Sequence, residues 1–232
     1  MNNALILFLK YPERKMVKTR IAASLGDDFA FGLHTAFIKD LLVMAGFVEA
    51  DKILAIDGPI HVPITSLDFG TGYPVISQNG KDIGERMLNA FIYVFNAGYN
   101  NAVLIGSDLP GLPAALLENA FAALNTADAV IGRSTDGGYY LIGFRKEKCS
   151  PDYFQGIKWS ASSVFQRTMD KFSRLEKNVY MLPEWIDIDD HYDLKQFYER
   201  NSNKTGTTLY TMKYLTEAIE NNNIICAGHD IL

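Results

Sequence analysis

The chain contains little cysteine and histidine, and this scarcity excludes several classes of site. Its 232 residues include two cysteines, Cys149 and Cys226, and four histidines, His34, His61, His191 and His229. No Cys-x-x-Cys pair occurs and the histidines show no ligand-like spacing, so neither a zinc site nor a disulfide framework is predicted. The low cysteine content is typical of a reducing compartment, and a cytoplasmic location is expected.

The sequence also lacks a basic tract and a long hydrophobic run. Lys plus Arg total 22 against 27 for Asp plus Glu, a net charge of −5, which argues against a general nucleic-acid binder. The apolar run at residues 4–9 is short and no Lys or Arg precedes it, unlike a signal peptide. No uncharged apolar stretch approaches the roughly 20 residues of a membrane-spanning helix, so no integral membrane segment is expected.

What is present is the composition and patterning of one packed α/β domain. Apolar residues make up 48% of the chain and charged residues 21%, as in an ordinary globular protein. Short apolar runs alternate with amphipathic stretches along the first half of the chain, which predicts a mostly parallel sheet with helices on both faces. A hairpin-like segment around Gly137 makes the sheet mixed. Residues 1–232 are therefore predicted to form a single three-layer α/β/α domain, with a core at about 4–200 and a helical tail at about 205–232.

The predicted elements follow this alternation. Strands are expected at residues 4–9, 52–56, 74–77, 102–105, 129–132, 139–144 and 179–182. Helices are expected at about 28–45, from 83 onward, at 113–124, 164–175, 192–200 and 209–221. Residues 13–20 are predicted to be a polar, basic loop, and residues 57–80 to be irregular apart from their strand because proline and glycine interrupt them.

Cations follow the first predicted strand, at the edge where open α/β sheets bind ligands. Lysine and arginine there suit the phosphates of a nucleotide, although a solvated surface loop is the structural alternative. The candidate nucleotide-binding residues of this loop are Lys10, Lys18, Thr19 and Arg20. Others lie just before or in the first turn of a later helix, where free N–H groups favour anions; they are Gln78, Gly84 and Arg86. Arg86 is equally consistent with a surface ion pair.

Carboxylates follow the other predicted strands, and aspartate oxygens are the ligands that Mg²⁺ or Mn²⁺ prefers. The candidate metal ligands are Asp108, Asp136 and Asp189. Each has a structural alternative. Asp108 precedes Leu-Pro-Gly and Asp136 precedes Gly-Gly, both typical of turns, and the segment 187–190 can cap the next helix. Their shared position at strand ends favours a site.

Several segments, taken in order, carry a family resemblance. They are Lys10-Tyr11-Pro12, Val17-Lys18-Thr19-Arg20, Gln78-Asn79-Gly80, Ile83-Gly84-Glu85-Arg86-Met87, Ser107-Asp108-Leu109-Pro110 and Asp136-Gly137-Gly138-Tyr139-Tyr140-Leu141-Ile142-Gly143. Together they resemble a bacterial family of glycosyltransferase type A fold, the DUF2064-like group of uncharacterised nucleotide-diphospho-sugar transferases, distantly similar to nucleotidyltransferases. The resemblance spans about residues 4–195. This chain departs from it at Arg14-Lys15, where relatives typically carry Pro-Gly.

The resemblance implies a transferase of the nucleotide-diphospho-sugar type. Asp108 takes the place of the metal-binding aspartate, with Asp108 and Asp136 as catalytic candidates and Mg²⁺ or Mn²⁺ as cofactor. The donor is a nucleotide sugar or a nucleoside triphosphate, and the small-molecule acceptor is not identified. The aromatic residues proposed for the acceptor pocket are Tyr139, Tyr140 and Trp159, although buried aromatics usually belong to the core.

Two reactions fit the same residues. Glycosyl transfer from a nucleoside-diphosphate sugar is favoured, because the basic loop has no glycine between Lys10 and Arg20 to wrap a triphosphate. Nucleotidyl transfer to a phosphorylated small molecule is the alternative. A nucleotide-binding module without turnover is a third hypothesis, which the three carboxylates disfavour. No Gly-x-Gly-x-x-Gly follows the first strand, so a nicotinamide dehydrogenase is not predicted.

Overall fold

Seven strands form one twisted sheet in the computed structural model, which describes residues 2–58, 71–159, 161–203 and 208–221. The strands are β1 (Asn3–Lys10), β2 (Asp51–Asp57), β3 (Val75–Ser77), β4 (Asn101–Ile105), β5 (Ala129–Ser134), β6 (Tyr139–Arg145) and β7 (Val179–Trp185). Their order across the sheet is β3-β2-β1-β4-β6-β5-β7. β6 runs antiparallel to both of its neighbours, and the other pairs are parallel. The predicted mixed, mostly parallel sheet is confirmed.

Helices cover both faces of the sheet. They are α1 (Thr19–Leu25), α2 (Asp27–Gly46), α3 (Ile83–Asn96), α4 (Ala114–Ala123), α5 (Val164–Arg174), α6 (His191–Ser202) and α7 (Tyr210–Glu220). Side chains of α2 and α4 pack with Leu5 and Leu7 of β1 on one face. Side chains of α3 and α5 pack with Ala4 and Ile6 of the same strand on the other face. Alternate residues of β1 therefore enter separate cores, as a strand between two helical layers requires.

The helix α2 is long and apolar enough to cross a membrane, judged by length and composition alone. Its 18-residue apolar window has a mean hydropathy of 1.3, and 61% of it is buried inside the protein. One side of α2 packs on the sheet, and another packs on α7 through Leu33 and Leu215. In this structure α2 is packed as a core helix is.

Local differences from the predicted elements are few. The predicted basic loop at 13–20 ends earlier, because Thr19 and Arg20 lie in the first turn of α1. No sequence pattern indicates α1, since this helix has seven residues, no capping side chain and one buried residue, Ile21. Short 3₁₀ turns at Lys146–Lys148 and Pro151–Tyr153 were also not predicted. Parts of the predicted irregular segment and tail, with His61, Cys226 and His229, lie outside the described residues.

Candidate active site

Most of the predicted site residues meet at the carboxyl edge, the edge of the sheet at which the parallel strands end. The loop after β1 brings Lys18 there, and the loop after β4 brings Asp108. The segment after β7 brings Asp187 and Asp189, and Asp136 lies in the β5–β6 turn at the same edge. The parallel topology thus collects residues that are far apart in sequence, as expected for ligand sites of open α/β sheets.

Lys18 is the buried counter-ion of this cluster. Its Nζ lies 2.9 Å from Asp108 Oδ2 and 3.9 Å from Asp189 Oδ1, and its side chain is 5% exposed. Nζ also donates a hydrogen bond to the Ile188 carbonyl and lies 5.1 Å from the centre of the Phe37 ring. Lys18 was predicted to bind phosphate directly. In this structure its ammonium is held instead by protein oxygens.

The lysine determines the ionisation of Asp108. Burial would raise the pKa of this carboxyl, but the Lys18 charge, aided by His34 and by a hydrogen bond from Ser107, brings the pKa below its usual value. Backbone contacts also fix the loop, because the Ile188 amide donates to the Asp108 carbonyl at 3.0 Å. Asp108 is therefore held ionised at the edge of the sheet.

Asp187 is a member of the cluster that was not among the predicted site residues. Its Oδ1 atom is buried and has no hydrogen-bond partner within the described residues. Burial, together with the negative charges of Asp108, Asp136 and Asp189, raises the pKa of Asp187 to about 8. The sequence signal for Asp187 was its place in Asp-Ile-Asp-Asp, after the predicted strand at 179–182. Asp190 of the same segment caps α6, as the structural alternative expected.

Arg20 and Asp189 stand on the open side of the cluster. Arg20 Nη1 lies 3.6 Å from Asp189 Oδ2, and the arginine side chain is 74% exposed. Burial raises the pKa of Asp189, while Lys18 and Arg20 act against this rise. Thr19, at the start of α1, and Lys10, at the end of β1, are also exposed. Arg20 is thus the predicted cation whose charge is best presented to a ligand.

A cavity of about 430 Å³ opens beside these carboxylates. It brings together five of the predicted residues, which are Arg20, Asp136, Tyr139, Trp159 and Asp189. The Tyr139 and Trp159 rings meet edge to face, with centres 6.4 Å apart at 83°. The Tyr139 hydroxyl lies 3.8 Å from Met87 Sδ, and burial raises the pKa of this tyrosine. The cavity therefore has an acidic side and an aromatic side.

Tyr140 does not share this cavity, which corrects its prediction as an acceptor-pocket residue. Successive residues of a strand face opposite sides of the sheet, and Tyr140 belongs to the core beneath α2 and α4. Its hydroxyl donates to the Pro183 carbonyl at 3.0 Å. Burial and the Asp187 charge raise the pKa of Tyr140 to about 12.

The candidates around the start of α3 make structural contacts. The Gln78 side-chain amide donates to the Leu9 and Ala55 carbonyls at 2.9 Å each, and so joins β1 to β2. Arg86 Nη1 pairs with Asp57 Oδ2 at 3.0 Å. A surface ion pair was the alternative interpretation of Arg86. At Gly84 the side-chain space is occupied, because a Cβ there would lie 2.1 Å from Trp159 Cζ2.

Comparison with known proteins identifies the family. The sequence profile described as "Uncharacterized protein conserved in bacteria (DUF2064)" matches residues 41–161. The crystal structure of a "putative nucleotide-diphospho-sugar transferase" from Desulfovibrio desulfuricans G20 matches with 37% identity over 97% of both chains and a TM-score of 0.90. The chain belongs to the DUF2064 family. The predicted family is confirmed, and the name of this relative agrees with the predicted transferase class.

Other solved structures share the fold of this DUF2064 protein at low identity. A cytidylyltransferase from Leptospira borgpetersenii serovar Hardjo-bovis has 13% identity over 99% of both chains, with a TM-score of 0.56. The Rv0371c protein of Mycobacterium tuberculosis H37Rv, in complex with manganese, has 14% identity over 86% of this chain and 99% of that chain, with a TM-score of 0.53. At such identities the likeness extends to the fold alone. No curated protein matches the chain.

The carboxylates of the DUF2064 protein are the type of ligand that a divalent cation prefers, but the described residues do not form a preorganised metal site. Within the described ranges, no three His, Cys, Asp or Glu side chains come together as metal ligands would. Nevertheless burial and the negative charges of Asp108, Asp136 and Asp189 raise the pKa of Asp187, whose Oδ1 has no partner among the described residues. A hard cation among these oxygens would relieve that repulsion. The residues therefore fit Mg²⁺ or Mn²⁺ as donors.

Proposed function

We propose that this DUF2064 protein is a metal-dependent transferase that uses a nucleotide-activated donor, with glycosyl transfer from a nucleoside-diphosphate sugar as its reaction. The proposal rests on one observation: the carboxyl edge holds Lys18 and Arg20 among carboxylates, directly beside a cavity. A cation for phosphates, which is Arg20, oxygens for a divalent metal and space for a second substrate are what such a transfer requires.

Arg20 is the residue expected to bind the phosphates of the donor. Its side chain is 74% exposed, with Nη1 3.6 Å from Asp189 Oδ2, and an exposed guanidinium can bind a phosphate through a bidentate contact. Thr19 precedes it in the first turn of α1 and presents a hydroxyl from an exposed position. Lys18 acts indirectly, because its ammonium orients Asp108 and lowers the pKa of that carboxyl.

Asp108 and Asp189 are the residues that would hold Mg²⁺ or Mn²⁺, and Asp136, the third predicted ligand, serves the acceptor. When bound, the ion supplies positive charge that offsets the charge developing on the leaving phosphate. Asp136 lines the cavity and has one oxygen, Oδ1, bonded to the Gly138 amide at 2.8 Å. Its second oxygen would receive the proton of an acceptor hydroxyl, whose oxygen then bonds to the anomeric carbon as the diphosphate leaves with its electron pair.

The alternative function is nucleotidyl transfer from a nucleoside triphosphate to a phosphorylated small molecule. The likeness of the fold to a cytidylyltransferase favours it. The name of the relative at 37% identity and the absence of glycine between Lys10 and Arg20 favour the nucleotide sugar. Both functions need the same cluster, so the choice between them depends on the donor.

Thermal unfolding with a panel of donors tests the proposal. UDP-, GDP- and CDP-sugars and the four nucleoside triphosphates are compared, each with and without Mn²⁺. We expect a nucleotide sugar to raise the melting temperature in a Mn²⁺-dependent way, since a ligand at 100 times its Kd adds about 2.7 kcal/mol. Arg20→Ala should weaken this binding by about 1.5–3 kcal/mol, the loss expected for a charge-assisted hydrogen bond.

The matched control for Arg20→Ala is Arg174→Ala, which removes an exposed arginine from the last turn of α5. Arg174→Ala should bind the donor as the unmodified protein does. Stabilisation by a triphosphate and by no nucleotide sugar would establish the nucleotidyl alternative. A protein stabilised by neither class would contradict the proposed function.

A further inference from the structure

The aromatic side of the cavity depends on a close contact between Trp159 and Gly84. Gly84 is the second residue of α3, and any Cβ there would overlap the indole ring, at 2.1 Å from Cζ2 and 2.7 Å from Nε1. Its backbone is ordinary helix, so the glycine is needed for the space it leaves and not for its conformation. The position of Trp159 in the cavity wall is therefore set by Gly84.

The remaining apolar wall gives the cavity a flat, non-polar surface. Tyr139 meets Trp159 at 83°, so the two rings form a corner. Ile83 and Met87, on the same side of α3, continue this surface along the cavity. Ile83 is 47% exposed although it is a large aliphatic residue. A partly apolar ligand lying in the corner would cover it.

The polar side of the cavity carries an excess of negative charge. Asp136 and Asp189 line it together with Arg20, and Arg20 is already directed at Asp189. Asp136 takes part in no ion pair within the part of the chain that the structure describes. An anionic group at Asp136 would be repelled, whereas a hydroxyl can donate to its carboxylate.

We infer that this cavity receives the acceptor, and that the acceptor is an uncharged, hydroxyl-bearing molecule with a flat apolar face, as a pyranoside has. Its apolar face lies against Trp159 and Tyr139, and a hydroxyl donates to Asp136. Gly84 determines specificity through the position of Trp159. That this ligand is the acceptor rests on the proposed function, whereas the chemical class of the ligand follows from the residues that line the cavity.

Fluorescence titration tests the class of ligand. The chain has two tryptophans, Trp159 and Trp185, so Trp185→Phe leaves Trp159 as the reporter of the cavity. Phenyl β-D-glucopyranoside and phenyl phosphate serve as probes, because they share the phenyl group and differ in charge. We expect saturable binding of the glucoside at least tenfold tighter than that of the phosphate, and Asp136→Asn should reduce this preference.

A pair of glycine variants tests the role of Gly84. Gly84→Ala should weaken glucoside binding at least tenfold because Trp159 must move. Gly46→Ala is the control, since Gly46 is also helical and its Cβ would meet nothing within 4 Å. It should bind as the parent does. Calorimetry with the two probes on the unmodified protein gives the charge preference even where a variant fails to fold.

Equal or tighter binding of phenyl phosphate would overturn the inference, as would equal glucoside binding by the two glycine variants. The donor panel separates this result from failure of the proposed function. Stabilisation by a nucleotide sugar without glucoside binding leaves the function standing and rejects the acceptor class. Glucoside binding at Trp159 without stabilisation by any nucleotide supports the cavity assignment and rejects the proposed donor.

Discussion

Among single residues, Lys18 is unusual in two respects: its backbone is left-handed and its ammonium is buried. Its backbone is in the left-handed region, with φ 47°, which disfavours a residue with a side chain. Its ammonium is nevertheless enclosed between Asp108, the Ile188 carbonyl and the Phe37 ring. Strained backbone that persists at such a point is typical of functional sites.

The Lys18–Asp108 pair makes a residue-scale prediction for stability. Lys18→Ala leaves the Asp108 carboxylate without its partner, and we expect a loss of about 2 kcal/mol in the free energy of unfolding at pH 7. This is below the usual cost of breaking a buried pair because the Asp108 side chain is 35% exposed and water screens part of its charge. Urea denaturation of Lys18→Ala, Asp108→Asn and the double variant measures the coupling.

The double variant should be less destabilised than the sum of the two single changes. Strict additivity would show that the two groups do not stabilise one another. The pH dependence has a defined sign. Because the pKa of Asp108 lies below its usual 3.8, the contribution of the pair is present above about pH 4 and is lost as the carboxyl protonates on further acidification.

Between elements, the attachment of α7 to the domain depends on a carboxylate supplied by α2. Asp40 is buried, and its Oδ1 and Oδ2 accept hydrogen bonds from the amides of Tyr210 and Thr211 at 2.6 and 3.0 Å. Leu209, the residue before α7, supplies no capping side chain. Asp40 thus caps a helix that follows it by about 170 positions, through tertiary contact alone.

We expect Asp40→Ala to destabilise the protein by about 1–2 kcal/mol, the usual cost of losing a helix cap. Asp40→Asn is the matched control, because it keeps one acceptor oxygen and removes a charge whose burial raises the pKa of this carboxyl. It should lose less than half as much. Amide hydrogen exchange should quicken at Tyr210 and Thr211 in the alanine variant. Unchanged exchange there would show that the cap does not hold α7.

For the whole molecule, the sequence predicted the layers well and the site's side chains only in part. Strands such as β1 are buried on both faces and read as continuous apolar runs, so their bounds were predicted to within a few residues. Their order then placed Asp108 and Asp136 at one edge. Strand alternation places Tyr140 on the sheet face opposite to Tyr139, and the prediction overlooked this. The ion pair of Lys18 could not be predicted, because it depends on the conformation of a loop, which no periodic sequence pattern indicates.

Asp187 could not be selected from the sequence for a similar reason: of the three carboxylates that act on its pKa, Asp108 and Asp136 are distant in sequence and come near it only in the folded protein. Burial and this convergence of charges together give Asp187 a defined contribution to the pH dependence of stability. The pKa of Asp187 is raised from 3.8 to about 8, so the folded state binds its proton more tightly than the unfolded state. The contribution of Asp187 to the free energy of unfolding should therefore fall as the pH rises from about 4 to about 8.

Asp187→Asn, which removes the titrating group, should flatten that decline. At pH 8 we expect the variant to be more stable than the unmodified protein by on the order of 2 kcal/mol, and at pH 4 the two should be nearly equal, because Asp187 is then protonated in the fold. Asp170→Asn is the control, since Asp170 is an exposed residue of α5 that should leave the profile unchanged. Urea denaturation between pH 4 and 9 measures all three proteins. If Asp187→Asn is destabilised at pH 8 as much as at pH 4, then the carboxylates at the carboxyl edge do not repel one another in the folded protein, and a divalent cation would have no repulsion to relieve there.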